Sequence, residues 1–469
     1  MDIATNANLI AVTPLEGIAT RARHERLAEW LREHEVSLAE TTLGDDARLS
    51  LHKLAVYPAA KNGCFACGPG CFAATDPQGA VYVLGDTHGD FDSVLAIFDA
   101  ILAIAGEKSE ANPIVYLLGD IVDRNGEGCM LECALILAIL QGKLEGEFSE
   151  LNKIRIGIIK GDHDIGLIYD EPYAPEARFR AMVKPADYCD WLNKRLDDGG
   201  DESVTKIGRA WIRLMKECPA AAFLEETGTL IAHGGVPRED LQRRVADGEP
   251  YMLQSEAFAQ DFEWCRMVDV KKKLLNRGSK TSEVGGQEFD SFCKTVFPAQ
   301  PRSGDPATRV RRFVFGHQHP VKGFEQYTKW YAGYEVICIA SFRDDVVFGG
   351  PTIPHFVRIA ATGAESEGIS PDVSESVNVY SVKLSFKEDM PVTEAAGDDQ
   401  PSSDQDQLGE AAEKPGCLTA GAELPSADVM ASAADKPAPA ASAVENPPAE
   451  GPAPGADCET SSCEGTPLG

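Results

Sequence analysis

The sequence contains no apolar run of about 18 residues, the length that a membrane-spanning helix needs. Its first residues, Met1–Ala4, also lack the basic start and apolar stretch of a secretory signal. Of the 469 residues, 43% are hydrophobic and 25% are charged, which is typical of globular proteins with a buried core. We therefore expect no membrane partner.

An excess of positive charge is missing as well, because 74 acidic residues outnumber 44 basic ones and give a net charge of −30. Between Glu388 and Gly469 the chain has 17 acidic residues and two lysines, so this segment carries half of the net charge. Proteins that bind nucleic acid need a basic surface for the phosphate backbone. Neither part of the chain has such an excess, and we expect no nucleic-acid partner.

Large apolar side chains are almost absent after Phe386, where the chain consists mainly of Ala, Pro, Ser, Asp and Glu. Such a segment cannot bury enough apolar surface to offset the entropy lost on ordering. We therefore predict three parts: a helical and irregular extension over 1–75 that packs on the core, a folded domain over 76–387, and a disordered tail over 388–469. The acidic tail can aid solubility, dock a partner, or compete for a cationic phosphate site.

The thirteen cysteines are odd in number and scattered, which argues against a disulfide framework and favours a reducing, cytoplasmic compartment. Cys64, Cys67 and Cys71 are spaced like metal ligands, but no fourth ligand lies nearby in the sequence. Ordinary loop thiols are therefore the favoured interpretation, with a metal site as the alternative. Cys129 and Cys133 are one helical turn apart, and we expect both to face the core.

From Ala80 onward, short apolar runs alternate with helical stretches, which predicts an α/β layered fold. The predicted strands are Val81–Leu84, Ile114–Leu118, Ile154–Ile159, Thr229–Ala232, Arg312–Phe315, Glu335–Ala340 and Val377–Phe386. The predicted helices are Arg21–Glu40, Phe91–Ala105, Gly128–Gln141 and Val204–Glu217. Each of the first five strands ends in a polar motif. Ligand sites in α/β folds form beyond the carboxyl ends of strands, so we expect these motifs to meet.

The five motifs are GDTHG at 85–89, GDIVDRN at 119–125, GDHD at 161–164, HGG at 233–235 and GHQH at 316–319. Carboxylate and imidazole groups suit Mn, Fe or Zn. Asp86 and His88, as alternate residues of an extended strand end, should face the same ion. Asp120 can bridge two ions. A single Gly-Asp dipeptide is usually a turn, and a single histidine is usually a surface or core residue. Five of the nine histidines, however, fall in these motifs.

In this order the motifs resemble those of the calcineurin-like metallophosphoesterases. The stretches 209–236, 276–278 and 315–325 are more narrowly similar to the phosphoprotein phosphatase (PPP) family of serine/threonine phosphatases. The resemblance covers about Tyr82 to Phe342. It implies a layered β-sandwich flanked by helices, with 76–387 as the catalytic domain.

The resemblance also implies a role for each matching residue. Asp86 and His88 would hold the first of two divalent ions (Mn, Fe or Zn), with His319 completing that site. Asp120 would bridge, while Asp162, His233 and His317 would hold the second ion. In the phosphate site, His163 would protonate the leaving group, Asp123 would orient that imidazole, and Arg124 and Arg277 would bind the phosphate.

Several positions depart from the PPP pattern. The GNHE motif of that family is GDHD here, so Asp162 replaces an asparagine, and the arginine that usually follows is absent. Asn125 replaces a glycine in the second motif, and the SAPNY motif is only echoed by 340–342. These changes concern the substrate more than the reaction.

The expected function is hydrolysis of phosphomonoesters, with phosphoserine and phosphothreonine in proteins as leading substrates. A hydroxide that bridges the two ions would attack phosphorus in line. Hydrolysis of a nucleotide or dinucleoside polyphosphate remains an alternative, as does a non-catalytic scaffold with a degenerate site.

Overall fold

The computed structural model describes residues 10–16, 21–40, 72–75, 80–169, 178–198, 202–224, 227–238, 256–271, 283–297, 310–343, 353–360 and 377–384. Three predictions lie outside these residues: the role of Arg277, the cysteine cluster at 64–71 and the disordered tail at 388–469. The predicted division of the chain into three parts stays a prediction.

Within the described residues the chain forms sixteen strands, eight α-helices and one 3-10 helix, Gly146–Lys153. The strands are β1 (Val12–Glu16), β2 (Phe72–Thr75), β3 (Val81–Leu84), β4 (Ile114–Leu117), β5 (Arg155–Ile158), β6 (Leu167–Tyr169), β7 (Phe179–Ala181), β8 (Ala221–Leu224), β9 (Thr229–Ala232), β10 (Arg266–Met267), β11 (Glu283–Val284), β12 (Arg312–Phe315), β13 (Phe324–Tyr327), β14 (Glu335–Ile339), β15 (His355–Ile359) and β16 (Val377–Lys383). The helices are α1 (Arg21–Glu40), α2 (Phe91–Glu107), α3 (Gly126–Gln141), α4 (Asp162–Gly166), α5 (Asp187–Asp197), α6 (Glu202–Glu217), α7 (Glu256–Trp264) and α8 (Gly286–Val296).

Two six-stranded sheets form the centre of the fold. The first sheet has the order β1-β16-β15-β3-β4-β5, and the second has the order β13-β14-β12-β9-β8-β2. Strands β3, β4 and β5 pair in parallel, as do β9 and β12. The carboxyl ends of β3, β4 and β5 therefore share one edge of the first sheet, and those of β9 and β12 share one edge of the second.

Alternation along the strands divides their side chains between two apolar layers. In β3, Val81 and Val83 pack into the cluster between the sheets, while Tyr82 and Leu84 pack into the cluster on the outer face. Both faces are covered, which explains why β3 (VYVL) and β4 (IVYL) are apolar at every position instead of every second one. The cluster between the sheets also takes Ile231 from the second sheet.

Helices cover both outer faces. The outer cluster of the first sheet includes side chains of α1, α2, α3, α5 and α6, and that of the second sheet includes side chains of α7 and α8. The layers run helix, sheet, sheet, helix. The predicted α/β sandwich flanked by helices is therefore confirmed.

The predicted strands and helices are confirmed to within about three residues at each end. The elements that were not predicted are the strands β1, β6, β7, β8, β10, β11, β13 and β15 and the helices α4, α5, α7 and α8. Strand β8 has the sequence AAFL, and alanine has little preference for strands. It forms because β9 pairs with it on one side and β2 on the other, which local sequence does not reveal.

The seven cysteines in the described residues are free and buried, and they include Cys129 and Cys133 in α3 as predicted. Among the described helices, none combines the length and apolar character that crossing a bilayer requires.

Helix α1 packs on α3 and α6 through one apolar stripe that includes the buried residues Leu27, Leu31 and Leu38. We expect Leu31→Ala to lower the free energy of unfolding by about 2–5 kcal/mol, because a fully buried leucine leaves a cavity. Urea unfolding measures this change. Glu33→Ala on the exposed face is the matched control and should change it by less than about 0.5 kcal/mol. Equal effects of the two substitutions would show that α1 is not part of the core.

Candidate active site

Five strands of the two sheets deliver the five polar motifs to one place. Asp86 follows β3, Asp120 follows β4 and Asp162 follows β5, while His233 follows β9 and His317 follows β12. Asp86 also forms an isolated parallel bridge with Ala340, just beyond β14 of the second sheet. The motifs of both sheets therefore meet at the carboxyl ends of their strands, as predicted.

All seven predicted metal ligands come together in two groups that share Asp120. In each group the ligand atoms all lie within 4.8 Å of one another, a spacing that can hold a metal ion. The first group is Asp86, His88, Asp120 and His319, and the second is Asp120, Asp162, His233 and His317.

Two of the histidines are oriented as metal ligands usually are. Nδ1 of His88 lies 3.0 Å from the carbonyl oxygen of Val122, and Nδ1 of His233 lies 2.9 Å from that of Leu118. Because a carbonyl only accepts hydrogen bonds, each Nδ1–H donates, which leaves Nε2 as the nitrogen that a metal ion can bind. Nε2 of His233 donates to Asp162 Oδ1 at 3.0 Å and lies 3.3 Å from Asp120 Oδ2. Burial lowers the pKa of His88, which favours the neutral ring that binds metals.

The histidines of the GHQH motif are held differently. Nδ1 of His317 lies 3.3 Å from Asp162 Oδ1, and its Nε2 is buried without a hydrogen-bond partner among the described residues. Nε2 of His319 lies 2.5 Å from Asp86 Oδ2, and Nδ1 lies 3.0 Å from a terminal nitrogen of Arg124. Since a guanidinium only donates, Nδ1 of His319 accepts and Nε2 donates to Asp86. An ion could bind Nε2 only after Arg124 leaves Nδ1.

The backbone of the motifs is strained. Among the described residues other than glycine, seven have positive φ, a conformation that L-amino acids rarely adopt. Six of them lie in the motifs: His88, Asp120, Asp123, Arg124, His317 and His319. Strain of this kind collects at functional sites, where the surrounding fold enforces it.

The prediction that Asp86 and His88 meet as alternate residues of an extended strand is wrong. His88 has φ of 47°, so the chain turns sharply after β3. The two side chains still reach one group because the amides of Thr87 and His88 both donate to the carbonyl oxygen of Asp120, at 3.2 and 2.9 Å. The loop after β4 therefore shapes the loop after β3.

Glycines permit close approach of the motifs. A Cβ atom at Gly316 would lie 2.1 Å from Asp86 Oδ1. Gly119 has φ of 91°, and a Cβ atom there would lie 2.3 Å from the nitrogen of Gly161.

Buried charge dominates the electrostatics of the site. Asp86, Asp120 and Asp162 are each at most 2% exposed. Burial favours the neutral acid, but His233 and His319 hold the pKa of Asp86 below its usual range. Burial likewise lowers the pKa of His233, but Asp120 and Asp86 raise it well above its usual value. Buried carboxylates need a balancing cation. The site therefore suits divalent cations.

The pair predicted to act as an acid is formed as well. Nδ1 of His163 lies 2.7 Å from Asp123 Oδ2, and the Tyr188 amide, in the first turn of α5, donates to Asp123 Oδ1 at 3.2 Å. Burial lowers the pKa of His163, but Asp120, Asp123 and Asp162 raise it to about 9. Burial also raises the pKa of Asp123. With both carboxylate oxygens accepting hydrogen bonds, the ion-paired form is the stable one.

Asp164 is a structural residue of the site that was not predicted from the sequence. It is fully buried, and its carboxylate accepts hydrogen bonds from the amides of Ile121 and Val122 and from the indole of Trp211. Asp164 thus fixes the loop that carries Asp120 and Asp123. Only its place in the GDHD motif could have pointed to it, because Trp211 lies far away in the sequence.

Glu132 is a second residue of this kind. It is fully buried in the apolar helix α3 and hydrogen-bonds the Thr87 hydroxyl, between Asp86 and His88. Burial raises its pKa well above the usual value. An isolated acid in an apolar helix was its only signal in the sequence.

Arg124, predicted to bind phosphate, lies beside the first group through its contact with His319. Its guanidinium carbon also lies 5.0 Å from the ring centroid of Phe342. No role for Phe342 was predicted.

Residues 79–350, more than half of the chain, match the family model of the calcineurin-like phosphoesterases. The chain therefore belongs to the calcineurin-like phosphoesterase family, and it is a hydrolase of phosphate esters. The resemblance drawn from the motifs is confirmed.

No curated protein matches the sequence. Among solved structures, it is similar to a protein serine/threonine phosphatase from Saccharomyces cerevisiae, with 12% identity, 78% of this chain and 91% of that chain covered, and a TM-score of 0.41. It is also similar to a cold-active protein-tyrosine phosphatase of a psychrophilic Shewanella species, with 14% identity, coverage of 66% and 85%, and a TM-score of 0.32. The family assignment rests on the family match and the motifs, not on these structures.

Proposed function

We propose that the protein is a metal-dependent phosphomonoesterase whose substrates are phosphoserine and phosphothreonine in proteins. The observation that carries this proposal is the pair of Asp/His groups that share Asp120, with the His163–Asp123 pair beside them. In this proposal Asp86, His88 and His319 would hold one ion, Asp162, His233 and His317 would hold the other, and Asp120 would be shared by both.

The oxygen and nitrogen donors suit Mn, Fe or Zn, and Asp162 in place of a neutral asparagine should tighten binding of any divalent ion. Two such ions would supply a nucleophilic water of lowered pKa and positive charge against the phosphate oxygens. The chain itself positions the substrate. Arg124 offers two parallel N–H donors to the phosphate, with Arg277 as the second predicted donor.

The His163–Asp123 pair favours an alkyl phosphate over a polyphosphate. A serine or threonine leaving group departs as an alkoxide, which is strongly basic and needs a proton in the transition state. A nucleotide leaving group is a weakly basic phosphate and needs none. A histidine that neighbouring carboxylates keep protonated is the proton donor that the alkoxide requires.

The test compares a phosphoserine peptide and diadenosine tetraphosphate in the presence of Mn²⁺, with metal content measured on the same sample. We expect two bound ions per chain, a higher kcat/KM on the peptide, and loss of hydrolysis after chelation. Faster turnover of diadenosine tetraphosphate would support a dinucleoside polyphosphate hydrolase instead. Absence of both bound metal and hydrolysis would support a non-catalytic scaffold.

A further inference from the structure

The segment 341–343, just after β14, is fixed to the loop that carries the first metal-site residues. The Ser341 amide donates to the carbonyl oxygen of Asp86 at 2.9 Å. The Ser341 hydroxyl accepts from the Gly85 amide at 2.9 Å and donates to the carbonyl oxygen of His355 at 2.6 Å. One side of this segment is therefore tied to the strand end that presents Asp86.

The other side is tied to the same loop through Arg343. Its amide and its Nε donate to Asp90 Oδ2 at 2.8 and 3.0 Å, and a terminal nitrogen donates to Oδ1 at 2.7 Å. Asp90 is itself fixed, because it caps α2 by accepting from the Ser93 amide. Both neighbours of Phe342 are thus anchored to residues 85–90.

Phe342 lies between these anchors, and its ring is 2% exposed. The ring stands nearly perpendicular to the imidazoles of His88 and His319, with centroids 5.1 Å apart in each case. The guanidinium carbon of Arg124 lies 5.0 Å from the ring centroid, within the range of a cation–π contact. One rigid ring therefore contacts two predicted metal ligands and the predicted phosphate-binding arginine.

We infer that Phe342 is a positioning residue that presents Arg124 to the substrate phosphate, an inference that rests on the proposed function. A free arginine side chain samples many rotamers, and fixing it in one geometry opposes binding. A cation–π contact with a ring that is itself fixed restricts that freedom before the substrate arrives. A guanidinium carries five N–H donors, with which Arg124 can bind phosphate oxygens.

The test uses Phe342→Leu in the full chain loaded with Mn²⁺. Leucine fills much of the space but has no π face, so Arg124 should lose its orientation while the core stays packed. We expect the Kd of inorganic phosphate, measured by calorimetry, and the KM of p-nitrophenyl phosphate to rise by about 2- to 30-fold. The kcat should fall by a smaller factor than the rise in Kd or in KM. The content of bound metal should stay at the wild-type level.

Two comparisons make this test specific. Phe98→Leu, at a fully buried position in α2 away from the site, should reduce stability but leave phosphate binding unchanged. In an Arg124→Ala background, Phe342→Leu should have no further effect on the Kd of phosphate, because the residue through which Phe342 acts is gone.

Loss of metal in Phe342→Leu would overturn the inference, and so would an undiminished effect of that substitution without Arg124. Weaker phosphate binding in Arg124→Ala but not in Phe342→Leu would also overturn it and would leave the proposed function intact. Failure of the proposed function is visible separately, as absence of hydrolysis by the wild-type protein.

Discussion

Asp120→Asn is expected to lower metal-dependent hydrolysis of p-nitrophenyl phosphate by more than about 100-fold, beyond the loss typical of residues that only orient a ligand. Asp120 is the one residue common to both Asp/His groups. Asparagine keeps the size of the side chain but offers only one neutral oxygen, which cannot bridge two cations. Both sites are therefore weakened by a single change.

The fold should survive this substitution. Asp120 Oδ1 accepts a hydrogen bond from the His163 amide at 3.0 Å, and an asparagine oxygen can accept the same bond. Without metal, burial and the charge of Asp120 together raise the pKa of Asp164 to about 7, so the substitution relieves one repulsion. Against the effect of burial, the same charge raises the pKa of His163 and of His233, so the substitution also removes two attractions to protonated rings. These effects oppose each other, and we expect only a small change in thermal stability.

Thermal unfolding in the presence of a chelator measures the stability change, and metal analysis with steady-state kinetics measures the loss of function. Asp99→Asn is the control, since Asp99 is an ion-paired carboxylate on α2 that pairs with Arg23, away from the site. It should leave activity and metal content unchanged. Wild-type activity in purified Asp120→Asn would refute the assignment of the bridging residue.

His163→Gln is expected to reduce kcat on an alkyl phosphate by about 10²- to 10⁴-fold, the contribution of a general acid. The reduction should be much smaller on an aryl phosphate such as 2,4-dinitrophenyl phosphate, whose leaving group departs without a proton. Metal content should not change, because His163 lies in neither Asp/His group. Equal losses on the two substrates would contradict the role of His163 as proton donor.

The dependence on pH supplies an independent measurement. A general acid must be protonated to act, so activity on an alkyl phosphate should fall as pH rises through the pKa of His163. In the protein without metal, carboxylates raise the pKa of His163 to about 9 against the effect of burial. Bound cations would offset the charge of these carboxylates, so the activity should fall at a pH below 9. Asp123→Asn removes one of these charges and should move the fall to lower pH. An unchanged profile of kcat/KM in Asp123→Asn would show that the pair does not set it.

The site residues were predictable because each motif is local in sequence. An apolar run followed by Gly-Asp or Gly-His indicates both the strand and the residue at its end, and parallel pairing brings strand ends together. Asp86, Asp120 and Asp162 follow from this rule alone. The layered fold follows from the same alternation of apolar runs and helices.

The rest depends on contacts between distant segments. Three contacts at the site join residues that are tens to hundreds of positions apart in the sequence. They are the hydrogen bond from Trp211 to Asp164, the hydrogen bond from the Tyr188 amide to Asp123, and the contact between Arg124 and the ring of Phe342. The left-handed backbone of His88 is likewise enforced by hydrogen bonds to the carbonyl oxygen of Asp120. No periodicity or propensity in the sequence encodes these arrangements.

The two Asp/His groups join the two sheets, which has a consequence for stability. Each group takes residues that follow strands of both sheets: Asp86 and His319 in one, Asp162 and His233 in the other. Any ion bound there would cross-link the two halves of the sandwich at one end. Separation of the two sheets would then require release of the ions, so metal binding and separation of the sheets are linked equilibria. The metal content of the protein would thus set its resistance to unfolding as well as its chemistry.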